Sequence, residues 1–439
     1  MNKTFLSMIV SLLALHCSAQ RVMTLGECVA VAVERNLDIR MIDNGIKKSD
    51  VGISQARAQL LPTVYTALGI NDNLINPVTV TGGTLVGNDF PDEITWQKVH
   101  STQYQGVLMV NAEMPLLDLT RYEAVRIARE MKTLANLQRD KAIEMLTMQV
   151  ARTYYLAQTT QEQARLMEEN VSRMDSLIAI VEALRDEGVV LEIDVSRVSI
   201  NRQNLQVMMN QYSTVYEQQL NLLRYLMNLD ASESIAVTPL ESGIRNHAET
   251  TISNNLPEMR INEQQHTIVQ RQISQVKKGY LPKVSLTGSG GYTAFAQKLN
   301  DSHWYGNLVV GLKLTVPIFD ANAKRHKLQQ LRLDGDRLQM ERESLQSQLK
   351  RDYDNNILNL NQNRDAFYAQ RDNYRLAQEV YEVALEKYKA GIAPMSELLQ
   401  DEINLRNASS QCAIAIYQYN CARLNLLRLT GNLNELIKY

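Results

Sequence analysis

Leu314-Thr315-Val316-Pro317-Ile318-Phe319-Asp320 has a counterpart about 200 residues earlier, Met114-Pro115-Leu116-Leu117-Asp118, with the same succession of apolar residues, proline and terminal acid. The neighbours on either side are doubled too. Upstream, Leu61-Pro62 corresponds to Leu281-Pro282. Downstream, Glu187-Gly188 corresponds to Ala390-Gly391, and Leu222-Leu223-Arg224-Tyr225-Leu226 to Leu426-Leu427-Arg428-Leu429. The distance from proline to glycine agrees to within one residue between the copies (Pro115 to Gly188, Pro317 to Gly391). Landmarks in one order at one spacing mean a single unit duplicated in tandem. Residues 20–228 form the first copy and 252–439 the second, with a polar stretch, 229–251, between them.

Each copy predicts a helix, a pair of strands, a very long helix, a tight turn and a returning helix. The opening helices are expected over 25–60 and 256–280, stopped by Pro62 and Pro282, because proline and the residue before it favour extended backbone. Beyond the prolines the hydrophobicity alternates with period two. Val284, Leu286, Gly288, Gly290 and Tyr292 share one strand face, and Ser285, Thr287, Ser289 and Thr293 the other. Leu308, Val310, Leu312, Leu314 and Val316 likewise lie opposite Asn307, Lys313 and Thr315. Such strands suit a membrane barrel with lipid on one side and water on the other, and equally a half-buried strand of a soluble sheet. The first copy carries its strands over 63–73 and 104–113. Its extra residues around 77–101, rich in Gly, Thr, Asn and Asp, read as a surface loop at a hairpin tip. Gly288-Ser289-Gly290-Gly291 lies inside a strand, so it reads as a stretch of wall without bulk. Trp96 and Trp304 fall near the hairpin ends, where aromatics anchor at a membrane interface.

Tyr353, Leu360, Phe367, Tyr374, Tyr381 and Tyr388 recur every seven residues up to the Ala390-Gly391 turn, as do Val150, Ala157, Ala164, Val171 and Ile178 in the first copy. A sustained heptad stripe predicts helices packed side by side as in coiled coils. Leu331, Leu338 and Leu345 keep the spacing and join the stripe through an eight-residue step, a discontinuity that changes the local supercoil pitch. About 68 residues of helix would extend roughly 100 Å at 1.5 Å per residue. The returning helices keep a thinner stripe, Val198, Leu205, Tyr212 and Leu226 against Ala408, Ala415, Ala422 and Leu429. Apolar seams on otherwise polar helices suit a wall with water on both sides, or a long coiled-coil rod.

At the amino terminus, Lys3, an apolar run from Phe5 to Leu15 and then Cys17-Ser18-Ala19-Gln20 predict a secretory signal peptide over 1–19. The run is too short to cross a bilayer as a helix. Cys17 raises lipid attachment, but His16 stands where a lipidation box has a small residue. Nothing later is a transmembrane helix candidate, so a membrane crossing must be a closed barrel, the other structure that satisfies its backbone in lipid. A net charge of −2 carries no electrostatic footprint for nucleic acid. Cys28, Cys412 and Cys421 are odd in number and widely spaced, so they read as small apolar residues and not as a disulfide framework. His100, His247, His266, His303 and His326 are not spaced as a metal pair, and HExxH, GxSxG and phosphate-cradling loops are missing. No enzyme, metal or cofactor is expected.

In order along the chain stand Thr24-Leu25-Gly26-Glu27-Cys28, Ala58-Gln59-Leu60-Leu61-Pro62, Lys278-Gly279-Tyr280-Leu281-Pro282 and the Leu314–Asp320 stretch. Glu386-Lys387-Tyr388-Lys389-Ala390-Gly391 and Leu429-Thr430-Gly431 follow. Through these pieces nearly the whole mature chain resembles the TolC-like outer-membrane efflux family. The resemblance implies an α+β membrane protein, a homotrimer in which each chain gives four strands to an outer-membrane β-barrel of about twelve. A long α-helical barrel would continue it into the periplasm, with 229–251 in the equatorial region around that tunnel. The implied role is the exit duct of a tripartite efflux system, conducting small molecules passively while an inner-membrane pump supplies the energy. A periplasmic adaptor protein would dock at the free ends of the helix pairs, and outer-membrane lipid would surround the barrel. Here those ends are Glu187-Gly188-Val189-Val190 and Ala390-Gly391-Ile392-Ala393-Pro394. Glycine takes the left-handed conformation such turns need, and Pro394 fits the first turn of the next helix. Six positions past each glycine stand Asp194 and Glu397, which by the family's pattern line the closed inner end of the tunnel as a periplasmic gate favouring cations. Acids are also favoured there by the helix macrodipole alone. Gln400 stands where members often carry a further acid.

Two other readings fit the same residues. The exit duct of a type I protein-secretion system would have the same form, with the pump choosing the cargo. An exported coiled-coil scaffold without a pore shares the signal peptide and the heptads, but it gives no reason for four alternating strands bounded by prolines at matched positions.

Overall fold

A computed structural model of the chain describes residues 21–75, 78–82, 96–100, 102–241, 243–244, 251–253, 255–298 and 300–436. The expected signal peptide with Cys17, His247 and residues 83–95 of the insertion lie outside the described residues.

Strand β1 (Arg21–Met23) leads into helix α1 (Leu25–Arg35), which opens on a reciprocal capping box between Thr24 and Glu27. The single helix expected over 25–60 is broken at Asn36, whose ψ of 133° leaves the helical region, and resumes as α2 (Leu37–Ala58). The reason is the buried Asn36 side chain. Its amide donates to Leu226 O (2.9 Å) while its Oδ1 accepts from the Asp38 N–H (2.9 Å), capping the new helix. Strand β2 (Thr63–Asp72) follows Pro62. The insertion expected as a surface loop at a hairpin tip holds a hairpin of its own, β3 (Val78–Gly82) against β4 (Trp96–His100). Its β-branched run Val78-Thr79-Val80-Thr81 is a strand former despite the polar surroundings. Strand β5 (Tyr104–Leu117) runs past the expected end and through Pro115, where a register shift between Pro115 and Leu117 accommodates the missing N–H.

The 68-residue helix α3 (Leu119–Asp186) and the returning α4 (Glu192–Met227) complete the first copy. Strand β6 (Ile235–Val237) lies in the stretch between the copies, and helix α5 (Pro257–Lys278) opens the second, followed by β7 (Lys283–Ala296), β8 (Ser302–Thr315), the 67-residue α6 (Ala323–Lys389) and α7 (Met395–Leu429).

The chain divides into two compact units. The first comprises Met1–Gly45, Ala135–Glu263 and Met340–Tyr439. In it β1 and β6 pair in parallel, a contact between distant segments that no local pattern announced. Around this pair Cys28, Val29 and Ala32 of α1 pack with Val150, Tyr154 and Ala157 of α3 and with Leu220, Leu223 and Met227 of α4. The Tyr154 hydroxyl donates to Met23 O (2.9 Å) and lies 2.8 Å from Thr238 Oγ1, so the buried phenol is satisfied. Burial pushes the Cys28 thiol up to about 12, which leaves it a small apolar group; Cys412 and Cys421 are half-buried and also free. The heptad stripes are buried at Val150, Ala157, Val171, Leu360, Phe367, Tyr381 and Tyr388, and half-buried at Ala164, Ile178, Tyr353 and Tyr374. On α7 the expected seam holds at Ala415, Ala422 and Leu429, whereas Ala408 is only half-buried and Leu398 and Leu405 go deeper.

The second unit comprises Ile46–Leu134 and Gln264–Gln339. Its four-stranded antiparallel sheet has the order β2-β5-β7-β8, so the two repeats' hairpins meet through β5 and β7 and leave β2 and β8 as open edges. Directly paired residues point to one side. The register therefore gathers Val64, Leu68 and Ile70 with Leu108, Val110, Leu286, Tyr292 and the Leu308–Leu314 alternation on a single apolar face. That face is not covered. Leu308 is 80% exposed and Leu312 71%, where a half-buried soluble strand would hide such residues. The opposite face carries Asn111, Ser285, Thr287, Ser289, Asn307 and Lys313.

Candidate functional site: the paired helix turns

The two repeats build their turns identically. Gly188 and Gly391 take φ of +77° and +71°. Gly188 N–H donates to Arg185 O (2.8 Å) and Val189 N–H to Leu184 O (2.9 Å); Gly391 N–H donates to Tyr388 O (3.0 Å) and Ile392 N–H to Lys387 O (2.9 Å). This paired closure satisfies the last carbonyls of each long helix and requires a left-handed residue at the glycine. The next helices start from extended Leu191 and Pro394, neither of which caps through its side chain. Pro394 is thus the cap residue, one place before the first-turn position expected of it. Val189, Leu191, Ile193 and Ile392 stand more than half exposed around the turns, Ile392 at 75%.

Asp194 and Glu397 are both third residues of their helices, with N–H groups donating to Leu191 O (3.0 Å) and Pro394 O (3.1 Å). An acid there meets the positive end of the helix dipole. Their surroundings differ. Asp194 is partly buried and pairs with Arg197 at 3.0 Å, while Glu397 is exposed and has no ion-pair partner among the described residues. Gln400 is exposed and donates to Asn404 Oδ1 (3.2 Å). No hydrogen bond joins Asp194 to Glu397 among the described residues.

What brings the two turns together is one apolar cluster, with Leu177 and Val181 of α3, Val195 and Val198 of α4, Tyr381 and Tyr388 of α6, and Met395 and Leu398 of α7. The Tyr388 hydroxyl is buried in it without a hydrogen-bond partner. Burial pushes that phenol up and the Asp194 carboxylate adds to the push, which places Asp194 within electrostatic reach of α6.

A second charged group nearby has no counterpart in the sequence reading. Glu402 of α7 is 1% exposed, and neither carboxylate oxygen has a hydrogen-bond partner. Arg406 approaches at 3.6 Å, and Arg173 of α3, which donates to Asn170, adds a second positive field. Burial pushes the Glu402 carboxyl above the usual range against the pull of both arginines. A signal for it existed, because Met395, Glu402, Ser409 and Ile416 recur every seven residues and so place the carboxylate on a packing stripe. No group of three metal-ligating side chains occurs among the described residues.

Residues 29–229 and 250–432 match the family described as outer membrane efflux protein. The chain is 23% identical over 395 residues to the antibiotic efflux pump outer membrane protein ArpC of Pseudomonas putida, covering 88% of this chain and 78% of that one. It is 22% identical over 312 residues to the solvent efflux pump outer membrane protein SrpC of Pseudomonas putida, covering 70% and 63%. The fold is similar to the open state of the MtrE outer membrane channel of Neisseria gonorrhoeae, with a TM-score of 0.72 at 18% identity over 93% of this chain and 89% of that one. It is also similar to the CmeC outer membrane channel of Campylobacter jejuni, with a TM-score of 0.71 at 15% identity over 94% and 88%.

Proposed function

This chain belongs to the outer membrane efflux protein family, and we propose that it works as the passive exit duct of a tripartite efflux system, assembled as a homotrimer. The observation that carries this reading is the sheet. Among the described residues no helix is long and apolar enough to cross a membrane. The four-stranded sheet instead bares an apolar face and leaves the outer edges of β2 and β8 without a partner strand among the described residues. Open edges cannot persist in lipid, where each unpaired backbone group costs several kcal/mol. Three copies joined β8 to β2 would close a barrel of about twelve strands, an even count within the range of outer-membrane barrels. The polar face would line the lumen.

The turns at Glu187–Val190 and Ala390–Pro394, with their exposed Val189, Leu191 and Ile392, are the surface offered to a periplasmic adaptor, and through it to an inner-membrane pump. Asp194 and Glu397 would form the gate beside them, with the neutral Gln400 next to it. In this reading cargo selection and energy belong to the pump.

The test is the native mass of the mature protein extracted from outer membranes in mild detergent. A trimer that dissociates on heating is expected. A monomer that stays soluble without detergent would overturn the reading and leave the scaffold in its place.

A further inference from the structure

We infer that the helix-side ends of the four strands form a docking surface for anionic phospholipid headgroups, namely those of the leaflet facing the long helices. The inference rests on the membrane-spanning reading of the sheet and goes beyond it by naming the lipid class and the residues.

Charge is distributed unevenly between the two ends of the sheet. The segments that flank its helix-side ends, 55–62, 118–125, 275–283 and 316–327, hold eight lysines and arginines against three acids. The connections at the other end, 73–103 and 297–301, hold four acids against two cations.

The three acids at the helix side are already engaged. Asp118 pairs with Arg121 (3.3 Å) and Lys283 (3.2 Å), Glu123 with Lys278, and Asp320 with Lys324 (2.8 Å). The Asp118–Lys283 pair ties the start of α3 to β7 and the Glu123–Lys278 pair ties α3 to α5, while Arg57, Lys277, Arg325 and Lys327 are left exposed, without an ion-pair partner among the described residues. Arg57 and Lys277 stand five residues before Pro62 and Pro282, which lead into β2 and β7, and Arg325 and Lys327 stand in the first turns of α6, beyond a β8 stripe that ends at Leu314 and the half-exposed Val316.

An apolar band that gives way to unpaired long cations is the arrangement expected at a lipid interface. The strand residues meet acyl chains, and lysine or arginine stems reach along them to place their heads at phosphate level. Unpaired cations at a bilayer surface select anionic headgroups, and the attraction decays within a Debye length, which makes it salt-sensitive.

The experiment is native mass spectrometry of the detergent-extracted assembly, titrated separately with phosphatidylglycerol and with phosphatidylcholine of the same acyl chains. The parent protein should retain phosphatidylglycerol about tenfold better, a preference that weakens in salt. The quadruple variant Arg57→Gln, Lys277→Gln, Arg325→Gln, Lys327→Gln should lose the preference. The pairs Arg57→Gln with Lys277→Gln and Arg325→Gln with Lys327→Gln should each lose part of it, so the inference stays testable if the quadruple variant does not assemble. Equal retention of both lipids by the parent, or an undiminished preference in the variants, overturns the inference while leaving the membrane reading intact. Retention of neither lipid by a protein soluble without detergent overturns both.

Discussion

At Gly291 strands β5 and β7 approach so closely that a Cβ would stand 2.0 Å from Leu108 O and 2.8 Å from Met109 Cα. Both are backbone atoms in the paired strand, so they cannot yield without parting the two hairpins. Gly290 differs, since a Cβ there would meet Leu308 Cδ1 at 2.9 Å, the movable end of a side chain. Gly291→Ala is therefore expected to abolish the heat-sensitive assembled form in outer membranes, and Gly290→Ala to retain it, as read by the mobility of unheated and heated samples on a gel. Equal behaviour of the two variants would show that the register is not the constraint. The Gly-rich stretch is legible in the sequence as missing bulk. Which glycine is obligatory depends on the partner strand's carbonyl, which lies on a different repeat. Gly188 and Gly391 were legible outright, because a turn between long helices needs its left-handed residue whatever surrounds it.

Among the elements, the long helices show what a period can and cannot say. The stripes at Val150–Val171 and Leu360–Tyr388 predicted the seams, since burial of a heptad repeat depends only on helix geometry. The break at Asn36 was not predicted, because its cause is a hydrogen bond to Leu226 O, 190 residues away. Glu402 is the carboxylate where the α7 stripe departs from its apolar rule. A carboxyl whose pKa is raised on folding gives stability that is fully present below the ordinary glutamate value and is lost as pH rises through the raised one. At neutral pH the buried charge is a cost that Arg406 and Arg173 offset only in part. Glu402→Gln is expected to leave the protein as stable at pH 7, or more stable by about 1 kcal/mol. The gap to the parent should narrow as pH falls into the glutamate range. Circular dichroism melts at pH 7 and pH 4 check both points. A loss of stability at pH 7 would mean that the two arginines need the anion.

For the whole molecule, the paired carboxylates at the helix turns make the gate assignment testable. In a homotrimer Asp194 and Glu397 would contribute six acids, with Gln400 adding no charge. The double variant Asp194→Asn with Glu397→Gln is expected to reduce block of single-channel current by multivalent cations, and unchanged block would remove these residues from the gate. By itself the sequence determined the duplication, the long helices with their returning partners, the apolar strand face and the two glycine turns. All of these follow from spacing and period along one chain. Only the tertiary structure decided that β5 and β7 join the two hairpins, that β1 pairs with β6, that both turns share one apolar cluster, and that Asp194 is partly buried beside Tyr388 while Glu397 is exposed. Each of these is a contact between residues far apart in the chain, set by register and burial, which local pattern does not encode.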